Sequence, residues 1–281
     1  MFYVVVEIHR EPDYKSILQG VKVKDHVAVR PCAAKLCVYV IQGGKQMMKQ
    51  MRSIGLAALV MLMLLPVPAE AGRAKETLSP EWVTALPAAA KTDQLVVVGG
   101  VGKTTAWISM HEKEKDGRWH QIMTTPGFIG KEGLGKEKEG DWKSPAGTFR
   151  FNKAFGIARD PGCAIPYTQV DKNTYWSGDQ RPGMEYDRMV DIRNYPSLDK
   201  ENSEHIIDYK EHYQYCLNIN YNRLRIPGKG SALFMHCFGP NKPFTGGCIA
   251  VPKDKMRYVM KHVRPNCLIV IDSLENLGGK L

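Results

Sequence analysis

The 281-residue sequence lacks a hydrophobic run long enough to span a bilayer. Its most sustained apolar stretch, residues 54–65, covers twelve residues, against about 20 for a crossing helix, which excludes a multi-span membrane protein. It also lacks internal repeats and any Cys-x-x-Cys or His-x-x-x-His spacing, the patterns that mark structural zinc. Acidic residues are the minority: 29 Asp+Glu face 39 Lys+Arg, a net charge of +10. That excess suits an anionic partner without choosing among nucleic acid, acidic lipid and an acidic cell-wall polymer. The 43% hydrophobic and 24% charged content is that of a globular chain, with ample length for a core.

What is present begins with a leader-like layout placed late. Met47-Met48-Lys49-Gln50-Met51-Arg52 is basic, the apolar run follows, and Ala69-Glu70-Ala71 is a small-x-small cleavage pattern. Residues 47–71 are therefore expected to be a signal peptide of an exported protein. Residues 1–46 are expected to be a non-native or unstructured extension, with a strand through Phe2-Tyr3-Val4-Val5-Val6 as the alternative. The chain from residue 72 onward carries +6 and five of the seven cysteines. An odd count in an exported chain implies at least one unpaired thiol.

Residues 72–93 show no sustained period and are expected to be a tether, with the ordered domain over 94–273 and a tail over 274–281. Leu95-Val96-Val97-Val98 is a β-branched run. Ala106, Ile108 and Met110 alternate with polar neighbours, and Asp116-Gly117 is a hairpin turn before a returning strand at Trp119. Further strands are expected around Phe149, Cys216 and Phe234 and at Leu268-Ile269-Val270-Ile271. Residues 155–212, rich in Asp, Asn, Pro, Gly and Tyr, read as extended loops or a groove wall rather than core. Helical spacing is convincing only over residues 252–263, where Met256, Val259, Met260 and Val263 share a face. The expected class is mainly β, with one late helix.

Gly99-Gly100-Val101-Gly102-Lys103-Thr104-Thr105 invites reading as a phosphate-binding loop. The first glycine of that motif would fall at Val97, and the following residues alternate as a strand rather than opening a helix. The one acidic strand-end candidate, Asp272, comes nine residues before the last. A glycine turn between two strands is the better account.

The chemistry concentrates at Met235-His236-Cys237-Phe238-Gly239 and Thr245-Gly246-Gly247-Cys248-Ile249-Ala250-Val251-Pro252. A cysteine beside glycines that bare the backbone, near a helix start and with a histidine available, suits acyl transfer through a thiolate. Here the sequence resembles the L,D-transpeptidase catalytic domain (YkuD) family, whose signature is a histidine followed by Ser/Thr-x-Gly-Cys. Upstream, Gly140-Asp141-Trp142-Lys143-Ser144-Pro145-Ala146-Gly147-Thr148-Phe149 resembles the family's Gly-Asp-x-x-Thr-Pro-x-Gly-x-Phe segment, and the likeness covers residues 94–273.

The resemblance implies an L,D-transpeptidase-like β-sandwich and an exported enzyme acting on peptidoglycan stem peptides. Cys248 would be the nucleophile and His236 its base, with Cys237 at the position that orients the imidazole. The backbone amides of Gly246, Gly247 and Cys248 would form the oxyanion hole, with Thr245 and Phe238 against substrate. It implies no metal, cofactor, nucleotide, nucleic acid or stable protein partner. Gly246 stands where the family has a second histidine, and Ala250 where it has a polar residue. Those departures leave the acceptor open: an L,D-carboxypeptidase or a peptidoglycan amide hydrolase would use the same site. A wall-binding module without catalysis is the rival class. Cys163, Cys216 and Cys267 are expected to be core thiols or a disulfide pair.

Overall fold

The computed structural model describes residues 77–239 and 242–280, and the backbone of three strands nearer the N-terminus. Those three, β1 (Val5–Ile8), β2 (Val27–Cys32) and β3 (Lys35–Val40), make an antiparallel sheet in the order β1-β3-β2. They fall within the stretch expected as an extension; the expected signal peptide at 47–71 lies outside the described residues.

The second unit, from Gly72 on, is built on one large sheet. Its strands are β4 (Thr77–Leu78), β5 (Gln94–Gly100), β6 (Thr105–Lys113), β7 (Trp119–Phe128), β8 (Gly147–Gly156) and β9 (Tyr167–Gln169), then β13 (Cys216–Ile219), β14 (Phe234–Cys237), β15 (Ile249–Val251) and β16 (Leu268–Ser273). The order is β13-β14-β15-β7-β6-β5-β16-β8-β9, and β13 also pairs with β8. The sheet therefore closes on itself as a ring of eight strands, which leaves few free edges. The class is mainly β, as expected, with the sandwich joined into a barrel.

Strand period explains the layering. On β5, Val96 and Val98 enter the main core with Ile108, Met110, Leu217 and Ile249, while Leu95 and Val97 enter a second cluster on the other face. A strand buried on both sides has no polar alternation to show, which accounts for the unbroken Leu95–Val98 run. Helix α2 (Lys253–His262) follows Pro252 and buries Met256, Val259 and Met260 in the main core.

The tether and tail expectations are corrected here. Helix α1 (Glu81–Thr84) and the 3-10 turn Pro87–Ala90 place Val83, Leu86, Ala88 and Ala89 in the second cluster, and Leu277 of the tail joins them. The ordered unit thus extends to both sides of 94–273. Elements this short carry too few turns to leave a period in the sequence.

Residues 155–212 also hold more structure than expected. Strands β10 (Thr174–Gly178), β11 (Tyr186–Asp191) and β12 (Glu204–His205) form a separate small sheet in the order β11-β10-β12. Trp176, Ile206 and Tyr213 pack against Phe155 and Phe234 in a third cluster, so this segment is core as well as groove wall.

The glycine-rich loop 99–105 is a turn between β5 and β6, not the start of a helix. Lys103 is paired at the surface with Glu132, at 2.8 Å.

Candidate active site

Parallel strands β14 and β15 set the site. The register pairs Met235 with Ile249 and His236 with Ala250, and Cys248 immediately precedes β15. Alternation sends Met235, Cys237, Ile249 and Val251 into the main core, while Phe234 and Cys248 belong to the third cluster. His236 and Cys248 both line a cavity of about 600 Å³, walled by aromatic side chains including Phe128, Trp142, Tyr209, Phe238 and Phe244. Lys131 lies over the rings of Trp142 and Phe244 at 5.7 and 5.8 Å.

His236 has a defined tautomer. Its Nδ1 lies 2.8 Å from the backbone carbonyl of Cys237; a carbonyl only accepts, so Nδ1 carries the proton and Nε2 the lone pair. Burial lowers the imidazole to about pKa 4, so it is a neutral base at neutral pH. Cys237 orients the ring through its backbone. Its own thiol points away into the core, toward the Tyr215 carbonyl.

The Cys248 thiol is buried, accepts the Phe234 N–H at 3.3 Å and donates to the Ala232 carbonyl at 3.2 Å. Burial pushes it up to about pKa 12. The sequence argument for a thiolate favoured by a helix start is therefore corrected. Strand β15 intervenes before α2, the dipole acts only within the first turn, and burial dominates. The resting pair is a neutral thiol and a neutral imidazole, and the S–H is turned to Ala232 rather than to His236.

The turn before Cys248 is tied from two directions. Thr245 Oγ1 accepts the Gly247 N–H at 3.1 Å and donates to the Cys248 carbonyl at 2.6 Å. Thr245 borders the cavity, and its hydroxyl donor is engaged within the turn, so it shapes the loop. The Gly247 amide is likewise committed, which removes it from the expected oxyanion donors. The amides of Gly246 and Cys248 remain for that role. Gly247 itself has φ +142°, and a Cβ there would lie 2.8 Å from the Lys143 carbonyl, so only glycine fits. Phe238 stands in the cavity wall, 4.9 Å from Phe128 between ring centroids.

The upstream segment reaches the same turn. Buried Ser144 accepts the Gly130 N–H at 2.9 Å and donates to the Gly247 carbonyl at 2.7 Å. Beside it, Lys136 and Asp141 form a buried ion pair at 2.8 Å. Burial alone would raise the Asp141 carboxyl, but the Lys136 ammonium and the backbone N–H groups of Glu137, Lys138 and Lys143 hold it well below the usual carboxylate range.

Other contributors left little trace in the sequence. Asp187 Oδ1 accepts Trp176 Nε1–H at 2.8 Å and the Ala232 N–H at 3.1 Å. It thereby fixes the residue whose carbonyl holds the Cys248 thiol. Asp187 and Ala232 both adopt left-handed backbone, φ +50° and +53°, a strain that persists only where surroundings impose it. Tyr213 stands edge-on to His236 at 5.4 Å and donates to Glu204 Oε2 at 2.7 Å; burial raises Glu204 to about pKa 7. His212 lies 5.9 Å from His236 between ring centroids. Gly239 makes room for it, since a Cβ there would meet its ring at 1.8 Å.

Cys163, Cys216, Cys237, Cys248 and Cys267 are all free thiols; of the three expected as core thiols or a disulfide pair, Cys216 and Cys267 are buried in the core and Cys163 is half-buried against it.

With this geometry in place, comparison with known proteins gives the class. Residues 103–271 match the family model described as the L,D-transpeptidase catalytic domain, YkuD; the chain belongs to that family. Among solved structures it is similar to the helical cell shape determining protein Pgp2 from Campylobacter jejuni, at 14% identity and TM-score 0.35, covering 64% of this chain and 47% of that one. It is also similar to the Ldtfm-avibactam carbamoyl enzyme, at 14% identity and TM-score 0.31, covering 65% and 49%. The chain thus spans about half the length of either. A search of curated protein sequences finds no match.

Proposed function

We propose that the protein is an exported cysteine acyltransferase that acts on peptidoglycan stem peptides through a thioester on Cys248. The observation that carries this reading is the shared cavity, where a nucleophilic thiol and a neutral imidazole with a free Nε2 lone pair meet. Family membership supplies the substrate class. Peptidoglycan lies outside the cytoplasmic membrane, which agrees with the leader-like layout of residues 47–71.

The chemistry follows from the groups present. The thiol rotates from Ala232 toward His236, whose Nε2 takes the proton as Sγ attacks the carbonyl of an L-centre–D-centre peptide bond. The Gly246 and Cys248 amides donate to the oxyanion. Collapse breaks the C–N bond, and the imidazolium returns its proton to the departing amine, the terminal D-amino acid. An amine of a second stem, or water, then attacks the thioester, with His236 again accepting the proton, and the thiol is restored. Proton transfer concerted with attack suits a neutral pair, because neither group need ionise alone in a buried site.

Incubation with disaccharide-tetrapeptide muropeptides tests the reading, with products separated by chromatography. Release of the terminal D-residue is expected, lost in Cys248→Ala and unaffected by a chelator. Cross-linked dimers identify an amine acceptor, and tripeptides alone identify water. Unchanged muropeptide that still binds would instead mark a wall-binding module.

A further inference from the structure

The tip of the β6–β7 hairpin gathers a second set of chemistry-bearing side chains. The ladder pairs Glu112 with His120, and the Glu114 N–H continues it to the Arg118 carbonyl at 2.8 Å. Cross-strand partners share a face and residues two apart repeat it, so Glu114 and His120 come to one side. The turn through Asp116 and Gly117, with Gly117 at φ +83°, folds Asp116 back over them. One ligand atom from each of Glu114, Asp116 and His120 lies within 4.8 Å of the others.

His120 separates this cluster from an ordinary acidic turn. It is only 5% exposed, yet neither ring nitrogen has a hydrogen-bond partner. A buried imidazole without partners calls for a reason, and a ring nitrogen aimed at two carboxylates is a lone pair awaiting a cation. The Glu114 carboxylate makes no hydrogen bond or ion pair among the described residues. Asp116 already faces a cation: Oδ1 accepts the Arg118 backbone N–H at 2.9 Å and Oδ2 accepts Arg118 Nε–H at 2.6 Å. That pair is largely exposed, so it is weak and easily displaced, and each oxygen retains a lone pair.

We propose that Glu114, Asp116 and His120 form a binding site for a borderline divalent cation of the zinc class. One imidazole nitrogen with two carboxylates suits zinc or cobalt. Calcium needs six or more oxygens, which the cluster does not supply. Zinc–ligand bonds of about 2 Å require the three groups to draw closer. Glu114 and Asp116, exposed at the turn, are free to do so. None of the three lines the Cys248 cavity, so the proposal stands apart from the reaction assigned there. The bound ion would clamp the hairpin turn onto β7.

The test is a titration of the full chain with Co²⁺, read by visible absorption, and with Zn²⁺, read by calorimetry. One saturable equivalent is expected, with cobalt d–d bands and no sulfur-to-cobalt charge transfer. Glu114→Gln, at an exposed position that leaves the fold intact, should weaken binding by about tenfold or more, and His120→Gln should abolish it. Arg118→Ala should tighten it, because a competing cation is removed. Absence of saturable binding would overturn the site. So would equal affinity in Glu114→Gln, weaker binding in Arg118→Ala, or a thiolate charge-transfer band.

Discussion

Cys248 and His236 are each neutral at rest for the same reason, burial, which raises one and lowers the other. The thiol should accordingly react slowly with an alkylating agent at neutral pH in the absence of substrate. Its rate should climb without a plateau up to at least pH 10, as monitored by peptide mapping of Cys248, since the other thiols are free too; a plateau near pH 7 would reveal a preformed thiolate. Cys248→Ala should lower turnover by several orders of magnitude, because members of one catalytic unit fail together. Asp187 acts at one remove, through the Ala232 amide. Asp187→Leu should lower kcat about a hundredfold with KM nearly unchanged, the cost of a small misplacement at the reacting atom. Asp187→Asn keeps an oxygen acceptor of the same shape and should restore most of kcat. If both variants behaved alike, Asp187 would not position the thiol. His236 and Cys248 stood out in the sequence by residue type and local spacing, and Cys237 by the family resemblance. Asp187 did not, because its role depends on a left-handed backbone and a contact across 45 residues.

At the level of elements, the two sequence motifs are one object. Ser144, on the upstream segment, and Thr245, on the turn, together fix the carbonyls of Gly247 and Cys248. Ser144→Ala leaves the buried Gly130 N–H without its acceptor. It should therefore cost about 1–3 kcal/mol in urea unfolding and reduce turnover, whereas Ser144→Thr should retain both. Equal loss in the two variants would make packing, not the hydroxyl, the cause. Strand β6 and helix α2 were legible because each bears a clear period, β5 because its apolar run is β-branched, and β7 because the Asp116–Gly117 turn announces a returning strand. The small β10–β12 sheet was not: its strands are short and interrupted by turns, and its aromatic core is assembled with Phe155 and Phe234 from distant parts of the chain. The same holds for α1 and the 3-10 turn, whose burial depends on a face of β5 that a continuous apolar run does not disclose.

For the whole molecule, buried neutral histidines govern behaviour in acid. His111 and His236 are both lowered to about pKa 4 by burial, against about 6.5 in an unfolded chain. Between those values the unfolded state binds more protons, so stability rises with pH and falls as pH drops from 6.5 toward 4. Each of the two costs on the order of 3 kcal/mol by the foot of that window, and Glu204, raised to about pKa 7 by burial, takes up its proton more readily folded than unfolded and offsets about one of them, leaving a net loss. Asp141 and Asp179, held below the usual carboxylate range, add their loss only in stronger acid. Urea midpoints should be clearly lower at pH 4.5 than at pH 7; equal midpoints would contradict the buried-imidazole account. The closed ring of strands places Cys248, His236 and the Ser144 anchor on adjoining elements, and that closure could not be read from local pattern, since it depends on β13 pairing with β8 as well as β14.

The central claim is a covalent acyl-enzyme on Cys248, and intact-mass spectrometry of the protein during reaction with disaccharide-tetrapeptide muropeptides tests it most directly. The account predicts a transient adduct equal to the muropeptide less its terminal D-residue, present on wild type and absent from Cys248→Ala. Product formation by wild type without any adduct, or an adduct that persists in Cys248→Ala, would contradict it.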